Sequence, residues 1–148
     1  MRALLQRVAR GEVRIEGEVV GAIGEGLVIL LGVGPDDTET TADEMARRAS
    51  EIRIFRDAEG RTNRSLLETG GAALVVSQFT LYADTRRGRR PGFTTAGPPE
   101  LAERLWRRFA ASLEALGVRV ATGRFGHEME VELVNDGPFT IWLDSADR

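Results

Sequence analysis

Polar and apolar residues alternate over residues 2–9, the period-two pattern of a half-buried strand, and the alternation returns over 12–16 with Val13 and Ile15 on one face. Residues 18–23 read as a further strand. Gly24-Glu25-Gly26 then makes a turn, and 27–33 is a continuous apolar run of the kind that fills a central strand. A second turn comes at Gly34-Pro35-Asp36-Asp37. Thr41-Ala42-Asp43-Glu44 has the form of a capping box, in which a hydroxyl and a carboxylate satisfy the free N–H groups of a helix start. It predicts a helix from Thr41 to about Ser50. Residues 52–55 predict a short strand, Asp57-Ala58-Glu59-Gly60 a turn, 63–68 a short helix, and 72–79 the second strongly apolar strand.

Past a loop at 85–91, Pro98 and Pro99 suit a helix start, and Leu101, Leu105, Phe109, Leu113 and Leu116 form one apolar stripe that Gly117 ends. Three more strands are predicted at 118–122, 128–134 and 139–143. The sum is an α/β chain of the α+β kind, with about eight strands and two main helices in one domain over 1–148. Its sheet is mostly antiparallel because most connections are short. Such a sheet has a face or an edge to cover, and dimerisation is one way to cover it.

Composition narrows the function. The 148 residues suit a single core, 42% of them are apolar, and 17 glycines favour tight turns. The absence of Cys excludes a disulfide framework, a thiolate zinc site and a cysteine nucleophile. The longest apolar run is strand-sized and the first residues lack a signal-peptide core, so the chain reads as soluble and cytoplasmic, with no membrane partner. A net charge of −3 argues against gripping a DNA duplex. A local basic patch can still hold a short single-stranded end. Lys is absent, so all 20 positive side chains are Arg.

Much familiar chemistry is missing. The one His, His127, sits in a Gly126-His127-Glu128 turn and reads as plain surface. Asp36, Asp37, Asp57 and Glu59 read as ordinary turn acids, and Gly32-Val33-Gly34-Pro35 lacks the rest of any nucleotide fingerprint. A metal site needs more ligands than these, so neither metal nor cofactor is expected. An enzyme built from this chain must use backbone groups, hydroxyls, amides or the substrate itself. That limits it to easy reactions, such as hydrolysis of an activated ester.

Two segments stand out. In Leu74-Val75-Val76-Ser77-Gln78-Phe79-Thr80 an apolar strand ends abruptly in polar residues, where side chains and free N–H groups can meet a ligand. A strand fraying into a loop explains the pattern as well. In Asn135-Asp136-Gly137-Pro138-Phe139-Thr140 a turn joins two strands, and a plain hairpin loop explains that too.

Taken together, the segments resemble the D-aminoacyl-tRNA deacylase family. Its pattern of Ser-Gln with a nearby Thr matches Ser77, Gln78 and Thr80, and its Asn-x-Gly-Pro-x-Thr pattern matches Asn135, Gly137, Pro138 and Thr140. Gln6-Arg7-Val8, Arg53-Ile54-Phe55, Arg90-Pro91 with Phe93, and Thr122-Gly123 with Phe125-Gly126 extend the likeness along the whole chain.

The resemblance implies a mostly antiparallel sheet curling toward a barrel, with two main helices outside. It implies a homodimer with sites at the subunit interface, acting on the 3′ end of aminoacyl-tRNA. Ser77, Gln78, Phe79 and Thr80 would line one subunit's pocket, with the Phe79 N–H, and one near Ala96 or Gly97, holding the ester carbonyl. Gly137-Pro138, as a cis peptide flanked by Asn135 and Thr140, would come from the other subunit, capture the α-amino group and exclude L side chains. Gln78 would bind the terminal adenosine, whose 2′-OH would assist hydrolysis, because Thr80 has no base to activate it. A pocket of this kind would also accept glycine, including glycine mischarged on tRNA-Ala. Arg86 and Arg87, with Arg89 and Arg90, either contact the acceptor end or form a solvated loop.

Overall fold

The first strand of the computed structural model, which describes residues 1–147, is one long ribbon, β1 (Arg2–Ile15). The two predicted strands at 2–9 and 12–16 join, because the register shifts around Val8–Arg10 absorb the polar break without ending the ladder. β2 (Glu18–Ile23) pairs with the far half of β1, and β3 (Gly26–Gly32) with the near half, both antiparallel. β6 (Ala72–Ser77) lies parallel to β3, and β7 (Arg119–Thr122) parallel to β6. The sheet order is β2-β1-β3-β6-β7. It curls until β7 nearly meets β2: a Cβ on Gly21 would stand 2.4 Å from the Thr122 carbonyl oxygen, so only glycine permits that approach. A mostly antiparallel sheet curling toward a barrel is therefore what the chain forms.

α1 (Glu39–Glu51) and α3 (Pro99–Ala115) are the two main helices, and α2 (Leu66–Thr69) is a single turn. The cap of α1 lies three residues earlier than the sequence reading, with Thr38 and Thr41 exchanging hydrogen bonds. Two threonines at capping-box spacing satisfy the same N–H groups. From α3, Leu105, Phe109 and Leu113 are fully buried against β3 and α1, whereas Leu116 is exposed past the helix end. Residues 63–68 divide into β5 (Thr62–Arg64), paired with β4 (Phe55–Arg56), and α2, capped by Ser65 and Glu68. Of the strand predicted at 52–55, only Phe55 lies in a strand.

The largest departure is at the end of the chain. β8 (Glu130–Asp144) is one strand running antiparallel along β1, not two strands around a hairpin. Gln6 pairs with Thr140 and Val8 with Asn135, so residues 136–139 bulge out opposite Arg7 alone. Among the described residues, the other edge of β8 pairs with no strand, and Val131, Val134 and Trp142 on it are exposed. No helix is long and apolar enough to cross a membrane.

Candidate active site

The polar end of β6 turns at once into a 3-10 helix, Phe79–Tyr82. Gly32 makes the turn possible, since a Cβ there would stand 3.0 Å from the Gln78 carbonyl oxygen and 3.2 Å from Leu81 and Tyr82. The N–H of Gln78 donates to the Leu31 carbonyl (2.8 Å) and extends the parallel ladder by one step. The N–H groups of Phe79 and Thr80, in the first turn, have no acceptor among the described residues. The Gln78 amide donates to the Thr80 hydroxyl, so that hydroxyl faces an amide and not a base.

Ser77, Gln78 and Phe79 form one wall of a cavity of roughly 820 Å³. Ala96 and Gly97 form another, and Ala102 and Trp106 of α3 a third. Phe79 meets Phe93 edge-to-face with ring centroids 5.0 Å apart, and Trp106 lies 5.9 Å from Phe125. Among the lining side chains, one imidazole, that of His127, and one carboxylate, that of Glu128, are present. His127 is exposed as expected, but its place on the cavity wall leaves no mark in the local sequence. Its Nδ1 lies 3.1 Å from the Phe125 carbonyl oxygen. No group of three or more His, Cys, Asp or Glu clusters among the described residues.

The expected help from Ala96 or Gly97 needs correction. Their N–H groups already donate to the carbonyls of Phe93 (3.1 Å) and Val33 (2.8 Å). Donors left without an acceptor among the described residues include instead the N–H of Phe79 on the cavity wall, that of Thr80 next to it, and the buried indole Nε1–H of Trp106 on the α3 wall.

Gly137-Pro138 does not line this cavity; it forms the corner of the β8 bulge, and its peptide is cis. Asn135 holds the bulge closed: its amide donates to the carbonyls of Arg7 (3.1 Å) and Phe139 (2.9 Å) and accepts from the Phe139 N–H (2.9 Å). Thr140 sits at the foot of the corner, its hydroxyl bonded to Gln6 (3.3 Å). Asn135 and Thr140 therefore support the corner and do not line the cavity.

Sequence reading missed Arg7 as a site residue. It is 4% exposed, donates to the Asp136 carbonyl (2.9 Å) and to the Ile54 carbonyl (2.5 Å), and lies 4.6 Å from the Phe139 ring. Arg56 grips the Asp136 carboxylate from outside (2.8 Å), and this bond holds that carboxyl below its ordinary range. The missed signal was register: Ala3, Leu5 and Arg7 share the inward face of β1, where an arginine demands partners.

The basic loop is pinched by the Asp84–Gly92 bridge. Asp84 also binds the Arg86 guanidinium (2.8 and 2.9 Å), which pulls its own carboxyl far down. Arg86 is thus committed within the loop. Arg87, Arg89 and Arg90 have no carboxylate partner among the described residues.

Residues 4–144 match the model of a family described as D-Tyr-tRNA(Tyr) deacylase. The chain is 61% identical over 146 residues to the D-aminoacyl-tRNA deacylase of Roseiflexus castenholzii, covering 99% of this chain and 93% of that protein. It is 59% identical to the one from Symbiobacterium thermophilum, with 98% and 96% covered. A solved structure described as a c-Myc DNA unwinding element binding protein superposes with a TM-score of 0.91 at 37% identity, over 97% of this chain and 98% of that one. A structure described as a probable eukaryotic D-amino acid tRNA deacylase shares the fold, with a TM-score of 0.84 at 20% identity over 96% and 97%.

Proposed function

The chain belongs to the D-Tyr-tRNA(Tyr) deacylase family, and on that premise we propose how its single domain hydrolyses D-aminoacyl-tRNA to free D-amino acid and tRNA. The chain is an enzyme, a carboxylic ester hydrolase of D-aminoacyl-tRNA. Charged tRNA as substrate puts the activity in the cytoplasm.

The ester enters the cavity beside Ser77–Thr80. Water attacks the carbonyl carbon, the oxygen takes up negative charge, and the N–H groups of Phe79 and Thr80 donate to it. The carbon–oxygen bond to the terminal ribose then breaks, and that ribose oxygen takes a proton. The neighbouring 2′-OH assists the transfer, and Gln78 holds the adenosine. No metal or cofactor is needed.

Selectivity comes from a second subunit. The open edge of β8 docks on a partner copy, and the Gly137-Pro138 corner enters that partner's cavity. There its carbonyls bind the α-amino group and leave no room for an L side chain. Glycine, lacking a side chain, is accepted, so glycyl-tRNA, including glycine mischarged on tRNA-Ala, is a further substrate. Arg87, with Arg89 and Arg90, meets the acceptor end, while Arg86 stiffens the loop. The observation that carries this reading is a cavity with free backbone donors and no base–nucleophile pair, on a chain whose Gly-Pro corner is not part of its own cavity.

The test is deacylation of D-tyrosyl-tRNA and L-tyrosyl-tRNA side by side with EDTA present. Loss of the D ester alone is expected. Loss of both would defeat the exclusion argument. Loss of neither would favour the second reading, a nucleic-acid-binding homodimer of the same fold without hydrolysis. The likeness to the DNA unwinding element binding protein is what speaks for that reading.

A further inference from the structure

Behind the Gly137-Pro138 corner lies a separate cavity of roughly 440 Å³. Arg7 of β1, Arg56 and Arg64 of the β4–β5 hairpin, and Arg119 of β7 converge on it from distant parts of the sequence. Its only carboxylates are Glu25 and Asp136, so four guanidinium groups face two acids on a chain whose net charge is −3.

The internal pairing leaves this excess unmet. Asp136 is shared between Arg7 (3.4 Å) and Arg56 (2.8 Å). The Arg64 side chain donates to the Glu68 backbone carbonyl, with the Glu68 carboxylate near it, and the Arg119 side chain has neither hydrogen bond nor ion pair among the described residues. The Arg7 guanidinium is disfavoured by burial and by the neighbouring charge of Arg56, as expected where positive groups outnumber their counterions. Gly26, Gly70 and Gly71 complete the wall; a Cβ on Gly26 or Gly71 would meet Ala72 or Leu66, whereas the space beside Gly70 is open.

We infer that this cavity is an anion site for a phosphate group, gripped by Arg64 and Arg119 against the fixed charge of Arg7 and Arg56. Planar guanidinium forks match the paired oxygens of a phosphate. The phosphate comes either from an RNA backbone or from free inorganic phosphate. The backbone is favoured because the cavity adjoins the corner that enters the partner's catalytic pocket, where the RNA end lies. The choice of RNA rests on the proposed function; the anion site itself does not.

The experiment titrates the full-length protein with pyrophosphate and, separately, with uncharged tRNA, comparing wild type with Arg64→Gln/Arg119→Gln. Both side chains are exposed, so the variant folds, which its melting temperature verifies. Saturable pyrophosphate binding that weakens at least tenfold in the variant is expected. If RNA is the source, tRNA binding also weakens, and the slope of log affinity against log salt falls by about 2. An unchanged tRNA titration beside weakened pyrophosphate binding assigns the site to free phosphate. Wild type and variant titrating alike with both ligands, or no saturable binding of either by wild type, would overturn the inference. The pyrophosphate titration is readable whether or not D-aminoacyl-tRNA is hydrolysed, so it can fail separately from the functional reading.

Discussion

The hydroxyl of Thr80 is bonded to the Gln78 amide and to no carboxylate or imidazole among the described residues. Without a base it cannot act as an efficient nucleophile. Thr80→Ala should therefore lower kcat on D-tyrosyl-tRNA by less than about 100-fold, short of the loss of a general base or nucleophile. A complete loss in single-turnover assays would overturn the backbone-donor account. Gly137 has the opposite sensitivity, because an added Cβ would stand 2.4 Å from the Phe139 nitrogen and 2.9 Å from its Cβ. The corner must shift in Gly137→Ala, and a displacement near 1 Å costs on the order of 100-fold in rate. The ratio of D to L deacylation should fall with it; an unchanged ratio would defeat the carbonyl-capture idea. Ser77 and Gln78 could be picked from sequence because polar letters interrupt an apolar strand, and Phe79 because it stands between them and Thr80 in the family pattern. The occupied N–H groups of Ala96 and Gly97 could not, since their acceptors Phe93 and Val33 are set by tertiary folding.

Between elements, Asp43 of α1 is the tie to α3, binding Arg108 through both oxygens (2.7 Å each) and Ser112. The bonds to Arg108 and Ser112 pull the Asp43 carboxyl down to about 2. A folded value below the unfolded one means the tie stabilises the protein fully above the ordinary carboxylate range, roughly 3.9, and is lost as pH falls toward the folded value. Asp43→Asn should thus melt at a lower temperature near neutrality and lose less between pH 5 and 2 than wild type. Calorimetry across that range checks it, and parallel curves would refute it. Strands β3 and β6 and helix α3 were legible because each packs a long apolar pattern. β8 was not, since Asn-Asp-Gly-Pro spells a hairpin locally, while pairing with β1 on both sides of the bulge decides its course.

For the molecule as a whole, a strand of 15 residues with an unpaired edge and an exposed Val134 is an invitation to association. Sedimentation should report a particle twice the 16.2 kDa chain mass. Val134→Glu should shift it toward folded monomers that have lost at least about 100-fold in deacylation, the scale expected when a positioning group leaves the site. Active monomers would refute a site completed by a partner. The need to cover an edge was readable from strand count; which edge stays open depends on the closure of the sheet. The bulge at 136–139 also sets a reading frame for the rest of β8. Phe139, Ile141 and Leu143 point inward and Trp142 outward only because the number of looped-out residues is what it is. A slip of one residue in the pairing of this segment with β1 would turn the end of the strand inside out, so the corner fixes which side chains of β8 reach the core.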